Sequence, residues 1–340
     1  MGDEEMKTLK LALMGFGNCG QAFCEMLLQK HETINNMYDT DVRVTAIATR
    51  SKGNVINDNG IDLRRALDEV SETGHFVTDV AAAEAAGAAD AADAADAADA
   101  ADAADAAKGR DSLTIAKEAD YDVLIEMTPL NIFTGEPATT HIREAFARGR
   151  HVITANKGPV AWHYRELKDE AERKGVCFFY ETVVMDGAPV FNLAEHTLKL
   201  AKVTEVSGIL NSTTNFILEE LAAGAEYDDI IARGRQMGFI EEDSAMDIEG
   251  YDAAGKITVL ANVLMDAQLT PEMVDRKGIE DITVEDIRAA EAEGKVIKLM
   301  CRCYHEDGED GTHGEACGPV KAYVRPEKID KTDLLASVNS

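Results

Sequence analysis

The sequence predicts an α/β protein: an N-terminal doubly wound parallel sheet followed by a second, α+β domain. Three observations predict it. The apolar run Leu9-Lys10-Leu11-Ala12-Leu13-Met14 reads as a buried strand and leads straight into Gly15-Phe16-Gly17-Asn18-Cys19-Gly20. Helical spacing follows over residues 21–30. Val42-Arg43-Val44-Thr45-Ala46-Ile47-Ala48 is a second strand, so the glycine loop sits inside one βαβ unit.

Further along, Tyr121-Asp122-Val123-Leu124-Ile125-Glu126-Met127 and His151-Val152-Ile153-Thr154 read as strands of the same parallel sheet. Between them, residues 141–149 read as a helix closed by Gly149. We expect this Rossmann-type domain to span residues 1–160. A polar helix over 161–174 is expected to lead into the second domain, residues 161–319, which Val176-Cys177-Phe178-Phe179-Tyr180-Glu181 would open. In that domain residues 202–210 are strand-like, a helix starts at Asn215, a longer apolar-faced helix covers 252–265, and late strands cover 295–304 and 320–325. Inside the first domain, Asp90, Asp93, Asp96, Asp99, Asp102 and Asp105 recur every third residue in alanine. That period drifts around a 3.6-residue turn and offers nothing larger than alanine to bury, so residues 81–108 read as a solvated insertion.

The 340 residues hold 63 acidic and 34 basic side chains, a net charge of -29. Such a surface repels bare nucleic acid. The acids are spread along the whole chain, which fits a protein adapted to high salt, where counterions screen their repulsion. The start, Met1-Gly2-Asp3-Glu4-Glu5, lacks the basic-then-apolar order of a secretory signal, and no apolar run reaches the roughly 18 residues of a membrane helix. A cytoplasmic protein with no membrane partner is expected. The six cysteines, Cys19, Cys24, Cys177, Cys301, Cys303 and Cys317, have no regular spacing and imply no disulfide framework. Cys301, Cys303 and Cys317, with His305 and His313, form a loose cluster that reads as strand packing, with a metal site as the alternative.

The loop glycines have the spacing of a dinucleotide site. Gly15 permits the tight turn, Gly17 lets backbone approach the pyrophosphate, and Gly20 allows close helix packing. Phe16, Asn18 and Cys19 complete the loop, whose amides at the helix start face the negative cofactor. The second strand ends in Ala48-Thr49-Arg50-Ser51-Lys52, without the acid that takes the ribose hydroxyls of NAD. Arg50 and Lys52 suit a 2'-phosphate, so NADP is favoured over NAD. Thr128, Pro129, Asn156 and Lys157 follow parallel strands, in loops at the ligand-binding edge of the sheet. In the second domain, Asp252 and Lys256 lie one helical turn apart and can point into one pocket. A lysine with lowered basicity serves as an acid/base beside a hydride transfer, and its ammonium stabilises charge on oxygen. A nearby carboxylate orients a cationic substrate.

Ordered blocks carry a family resemblance. They are the glycine loop, Thr154-Ala155-Asn156-Lys157, the run Gly208-Ile209-Leu210-Asn211-Ser212-Thr213-Thr214-Asn215-Phe216-Ile217, and residues 238–256 with Glu241, Asp247, Gly250, Asp252 and Lys256. In these the chain resembles homoserine dehydrogenase. The resemblance implies NAD(P)-linked interconversion of L-homoserine and L-aspartate 4-semialdehyde, a step toward threonine, isoleucine and methionine. It implies that Lys157 and Lys256 are the active-site lysines and that Asp252 positions substrate beside Lys256. It further implies that Glu241 and Asp247 contact substrate, Glu241 at its ammonium, and that residues 211–215, with Asn211 and Thr213, line substrate and nicotinamide as a loop. A monovalent cation, Na+ or K+, is implied at Glu181, Val184, Asp186 and Ala188, although Met185-Asp186 replaces the small residues usual there. Ser212 stands where glycine is usual. The resemblance also implies a homodimer and a segment, 320–340, that turns back toward the nucleotide domain. We expect that segment to be short, a form without a regulatory domain, and, from the acidic composition, a haloarchaeal-like source. The competing readings are an oxidoreductase for another small semialdehyde or hydroxy acid, and a non-catalytic NADP-binding homologue.

Overall fold

The computed structural model describes residues 6–77, 111–238, 240, 244–306 and 318–339. The insertion at 81–108, Glu241, His313 and Cys317 lie outside the described residues. Two compact units emerge. The first holds the described residues up to Asn131, with Glu136–Asn156 and Glu166–Tyr180; the second holds Ile132–Gly135, Lys157–Arg165 and the described residues from Glu181 onward.

The first unit is built on a six-stranded sheet. Its strands are β1 (Lys7–Met14), β2 (Thr40–Ala48), β3 (Val55–Ile56), β4 (Val123–Glu126), β5 (His151–Thr154) and β6 (Phe178–Phe179). They lie in the order β3-β2-β1-β4-β5-β6. All neighbours are parallel except β3, which runs antiparallel to β2 at the edge. Alternation along β1 and β4 sends side chains to two apolar faces. Leu11, Leu13, Val123 and Ile125 pack with α1 (Asn18–Tyr38) and α2 (Leu63–Thr73). Ala12, Met14 and Leu124 pack with α3 (Ser112–Glu118), α4 (Ala138–Ala147) and Leu167. Strand order reverses between β1 and β4, and ligands of such sheets bind at the carboxyl ends of the strands flanking that reversal.

Several expectations about organisation are corrected. The run 176–181 does not open the second domain, because Phe178 and Phe179 pair with Val152 and Ile153 as the sixth strand of the first sheet. The helix expected over 161–174 begins earlier, as α5 (Lys157–Lys174), so Lys157 occupies a helical first turn and not a loop. Pro159 is no breaker there, since the N–H it lacks would have had no helical partner. A kink at His163 (φ -134°) separates the two halves of α5, and a single cut at 160 is replaced by a division within the helix. The described part of the segment 320–340 belongs to the second unit, where β10 (Val320–Asp330) pairs antiparallel along its whole length with β9 (Lys295–His305).

The second unit has a four-stranded sheet, with β7 (Glu205–Gly208) and β8 (Asp275–Arg276) at its edges, in the order β7-β9-β10-β8. The helices are α6 (Thr182–Met185), α7 (Val190–Thr197), α8 (Ser212–Ala222), α9 (Tyr227–Met237), α10 (Ala245–Ile248), α11 (Tyr251–Leu264) and α12 (Val284–Ala292). Helices α8, α11 and α12 all pack on β9. The stretch 211–215 is not a loop. Asn211 caps α8, its Oδ1 accepting the Thr214 N–H at 2.8 Å, and helix begins at Ser212. Lys298 of β9 is buried, with its ammonium donating to Asn215 Oδ1 (2.7 Å), Glu219 Oε1 (2.8 Å) and the Val338 carbonyl (2.7 Å). Three acceptors match its three N–H groups, so no donor is left unpaired in the interior.

Candidate active site

In the first unit the glycine loop lies at the carboxyl end of β1, beside the turn after β4. Gly15 has φ +108°, and a Cβ on it would lie 2.5 Å from the Met127 carbonyl oxygen. A Cβ on Gly20 would lie 2.8 Å from the Gly15 oxygen, whereas one on Gly17 would meet nothing within 4 Å. Two glycines therefore seat the loop, and Gly17 leaves open space beside the start of α1. Gly17 is also the N-cap of α1 and brings no side chain to satisfy the first-turn amides. A helix start without a side-chain cap, with open space beside Gly17, suits a pyrophosphate, so these residues fit a dinucleotide. Asn18 and Cys19 are exposed on this turn. The Phe16 ring is buried and packs, tilted, 5.2 Å from the Phe76 ring, so Phe16 contributes its backbone to the loop.

After β2, the Thr49 hydroxyl donates to the Gly53 carbonyl and accepts the Lys52 N–H, folding 49–53 into a tight turn. Arg50 is exposed and Lys52 half-buried, and neither has an ion-pair partner among the described residues. After β4, Thr128 donates through its N–H (2.8 Å) and its hydroxyl to the Glu126 carboxylate. Its carbonyl accepts Asn156 Nδ2 at 3.0 Å, so buried Asn156 braces this turn; Pro129 is exposed beside it.

In the second unit a cluster forms around Asp252. Gly250, at φ +81°, caps α11 and puts Asp252 in its first turn. Lys157 Nζ lies 2.9 Å from Asp252 Oδ1, and Lys256 Nζ lies 3.1 Å from Oδ2. Lys256 also donates to the Leu210 carbonyl at 2.9 Å. The three side chains are only 16–21% exposed, so the pair is not the solvent-washed i,i+4 bridge that spacing alone allows. Burial works against ionisation of Asp252, but Lys157, Lys256 and the Asn211 amide together outweigh it and hold its carboxyl below the usual carboxylate range. Gly255 lets α11 lie close to Ile132, whose side chain a Cβ would overlap.

Asn211 has a role that its sequence context alone does not assign. Its Nδ2 donates to Asp247 Oδ1 (2.6 Å) and Asp252 Oδ2 (2.9 Å), while its Oδ1 is fixed by Thr214. One amide thus draws two carboxylates together. The available signal is Asn211-Ser212-Thr213-Thr214, which has the order of a helix cap. Thr213 is buried in the first turn of α8, and Ser212 is exposed.

Other candidates fare differently. Both oxygens of Glu181 accept N–H groups, from Phe191 (2.9 Å) and Asn192 (3.0 Å), so this carboxylate caps α7. The Ala188 carbonyl accepts the Val190 N–H, and Val184 is buried. Asp186 is exposed at the end of α6, and no catalytic step is assigned to a cation. Burial pushes the Cys301 and Cys303 thiols up to about 12 each, and Cys303 Sγ packs 3.4 Å from Met265 Sδ. Neutral thiols are poor metal ligands; among the described residues no group of three His, Cys, Asp or Glu side chains could hold a metal. Glu126, His141 and Ser112 escape sequence reading altogether, because they come from separate elements.

Residues 15–181 match the family model described as homoserine dehydrogenase, NAD binding domain, and residues 189–340 match that for homoserine dehydrogenase. The chain is 36% identical to homoserine dehydrogenase of Methanocaldococcus jannaschii, over 86% of this chain and 80% of that one. It is 31% identical to an NAD(+)-dependent homoserine dehydrogenase of Pseudomonas canavaninivorans, over 98% and 86%. A crystal structure from Archaeoglobus fulgidus, provisionally named a homoserine dehydrogenase, superposes with a TM-score of 0.74 at 30% identity, over 98% of this chain and 87% of that one.

The Asp252 cluster generates a stability prediction. Its folded-state carboxyl is lowered from 3.8, so its contribution is fully present above the unfolded value and is lost as pH falls through the lower folded value. D252N leaves two ammoniums facing a neutral amide and is expected to destabilise the protein by about 3 kcal/mol at neutral pH. In urea unfolding followed from pH 7 to pH 2.5, the gap to wild type should stay constant and then close only below pH 3.8.

Proposed function

The chain belongs to the homoserine dehydrogenase family, and we propose that it interconverts L-homoserine and L-aspartate 4-semialdehyde, with NADP as the preferred cofactor. The observation that carries the reaction is the Asp252 carboxylate held between Lys157 and Lys256 at 2.9 and 3.1 Å. A bound nicotinamide supplies the hydride in reduction and takes it in oxidation. The chain must then hold an amino acid, orient its terminal carbon and move one proton.

Asp247 has one oxygen on Asn211 and further lone pairs to accept a substrate ammonium, the role we also assign to Glu241. Lys256, fixed by Asp252 and the Leu210 carbonyl, gives a proton to the aldehyde oxygen in reduction and takes it from the hydroxyl in oxidation. Lys157, held at Asp252, stabilises the oxygen as negative charge develops. Arg50 and Lys52 meet the 2'-phosphate. The spread of acids behind the net charge of -29 supports a salt-adapted, cytoplasmic enzyme, and no helix among the described residues is long and apolar enough to cross a membrane. We assign it a homodimeric state on the family resemblance.

The direct test is NADPH oxidation with L-aspartate 4-semialdehyde by the purified protein, from low to multimolar KCl. Turnover that rises with salt is expected. Folded, NADPH-binding protein with no turnover at any salt would point to a non-catalytic homologue or another substrate. Within an active enzyme, K256A should lower kcat by about 100-fold or more, and K157A should retain more of the rate. The reverse order would transfer the proton step to Lys157. The double variant R50A/K52A should raise KM for NADPH about tenfold and leave KM for NADH within about twofold. Equal changes for both cofactors would remove the 2'-phosphate role, and the NAD(+)-dependent relative makes that comparison necessary.

A further inference from the structure

A buried polar chain lies beneath the turn after β4, and the proton and hydride chemistry does not use it. Glu126, the last residue of β4, is fully buried. Its Oε1 accepts the Thr128 N–H at 2.8 Å and the Thr128 hydroxyl, and its Oε2 pairs with His141 Nδ1 at 2.8 Å. His141, on α4, is 1% exposed and places Nε2 2.9 Å from Ser112 Oγ, at the start of α3. Strand β4 and α4 therefore meet at one carboxylate, and α3 joins them through His141. A buried carboxylate survives only with its oxygens paired, and here each oxygen has a donor.

The carboxylate–imidazole–hydroxyl order is that of a hydrolytic triad. Two facts exclude that role. The imidazole is closed to any substrate, and Glu126 divides its oxygens between His141 and Thr128. What the pair does control is the Met127–Thr128 turn. Gly15 rests on that turn so closely that a Cβ would lie 2.5 Å from the Met127 oxygen, and the Thr128 carbonyl receives the Asn156 amide. Any shift of the turn moves the floor of the glycine loop.

We propose that Glu126 and His141 are positioning residues for the dinucleotide site, holding the Met127–Thr128 turn where it seats the glycine loop and so setting cofactor affinity without touching the cofactor. The inference rests on the dinucleotide reading of that loop. It predicts an effect on one substrate only. H141A removes the donor to Glu126, and NADPH titration followed by fluorescence should show Kd raised about tenfold. KM for L-aspartate 4-semialdehyde at saturating NADPH should stay within about twofold of wild type, a split that general loss of folded protein does not produce. H141N, whose amide can replace Nδ1–H toward Glu126, should recover most of the affinity. Folded H141A with wild-type Kd, or H141N no better than H141A, would overturn the inference. If H141A does not fold, H141N is compared with H141Q, whose amide falls nearer the Nε2 position. H141N should bind NADPH more tightly, and equal affinities would overturn the inference. Wild-type protein that binds neither NADPH nor NADH would overturn the dinucleotide reading itself, and this inference with it.

Discussion

The second unit depends on one carboxylate placed between two ammoniums. Lys157 begins α5, Lys256 lies one turn into α11, and Asp252 accepts from both. Without that carboxylate, two like charges would share a poorly solvated space, where repulsion at a few ångströms reaches several kcal/mol. The geometry has to be built before the charges can settle. Gly250 turns the chain into α11 with a positive φ, and Gly255 removes the side chain that would hold Ile132 away. A glycine inside a helix costs about 1 kcal/mol relative to alanine. The close approach it permits offsets that cost here, which is why such a position reads as an anomaly in sequence and as a contact in structure.

Asn211 extends the same constraint. As a cap it commits its oxygen to Thr214, which leaves only N–H groups to face the two aspartates. Its orientation is thus set by the helix it starts, and the acids are placed by that orientation. The Leu210 carbonyl just before the cap holds Lys256. The end of β7, the start of α8 and the first turn of α11 are therefore coupled through side-chain to backbone bonds, and a local change in the cap would reach both a carboxylate and a lysine.

The fold is legible wherever local pattern and burial agree. Leu9 to Met14, with the glycine loop and the strand ending at Ala48, announce a parallel sheet because strands buried on both faces are continuously apolar. Asp252 and Lys256 are legible as a pair because four residues make about one helical turn. The illegible parts come from distance in sequence. Phe178 and Phe179 look like the start of the second domain, since a two-residue strand carries almost no pattern and its assignment rests on pairing with Val152 and Ile153. Lys157 looks like a loop residue because it closely follows a parallel strand at the ligand-binding edge of the sheet, although a helix already begins there. Glu126 and His141 are 15 residues apart across a strand, a turn and a helix, and a single histidine on an apolar helix has the ordinary look of a core residue.

Net charge and site charge obey different rules in this chain. A protein of net charge -29 should repel a dinucleotide phosphate, yet the glycine loop ends at a helix start without a side-chain cap and, one strand away, two cations have no acidic partner among the described residues. The conflict is resolved by range. At physiological ionic strength exposed charges are screened over about 8 Å, and in multimolar salt over less than about 3 Å. The dispersed carboxylates then act on water and counterions close to them, while in the proposed cofactor site the amides at the start of α1 and the side chains of Arg50 and Lys52 would act at hydrogen-bonding distance, where no salt intervenes. Strong salt therefore suppresses the long-range penalty of an acidic surface more than it weakens the short-range contacts of the site, and an acidic chain can hold an anionic cofactor without giving up its acids.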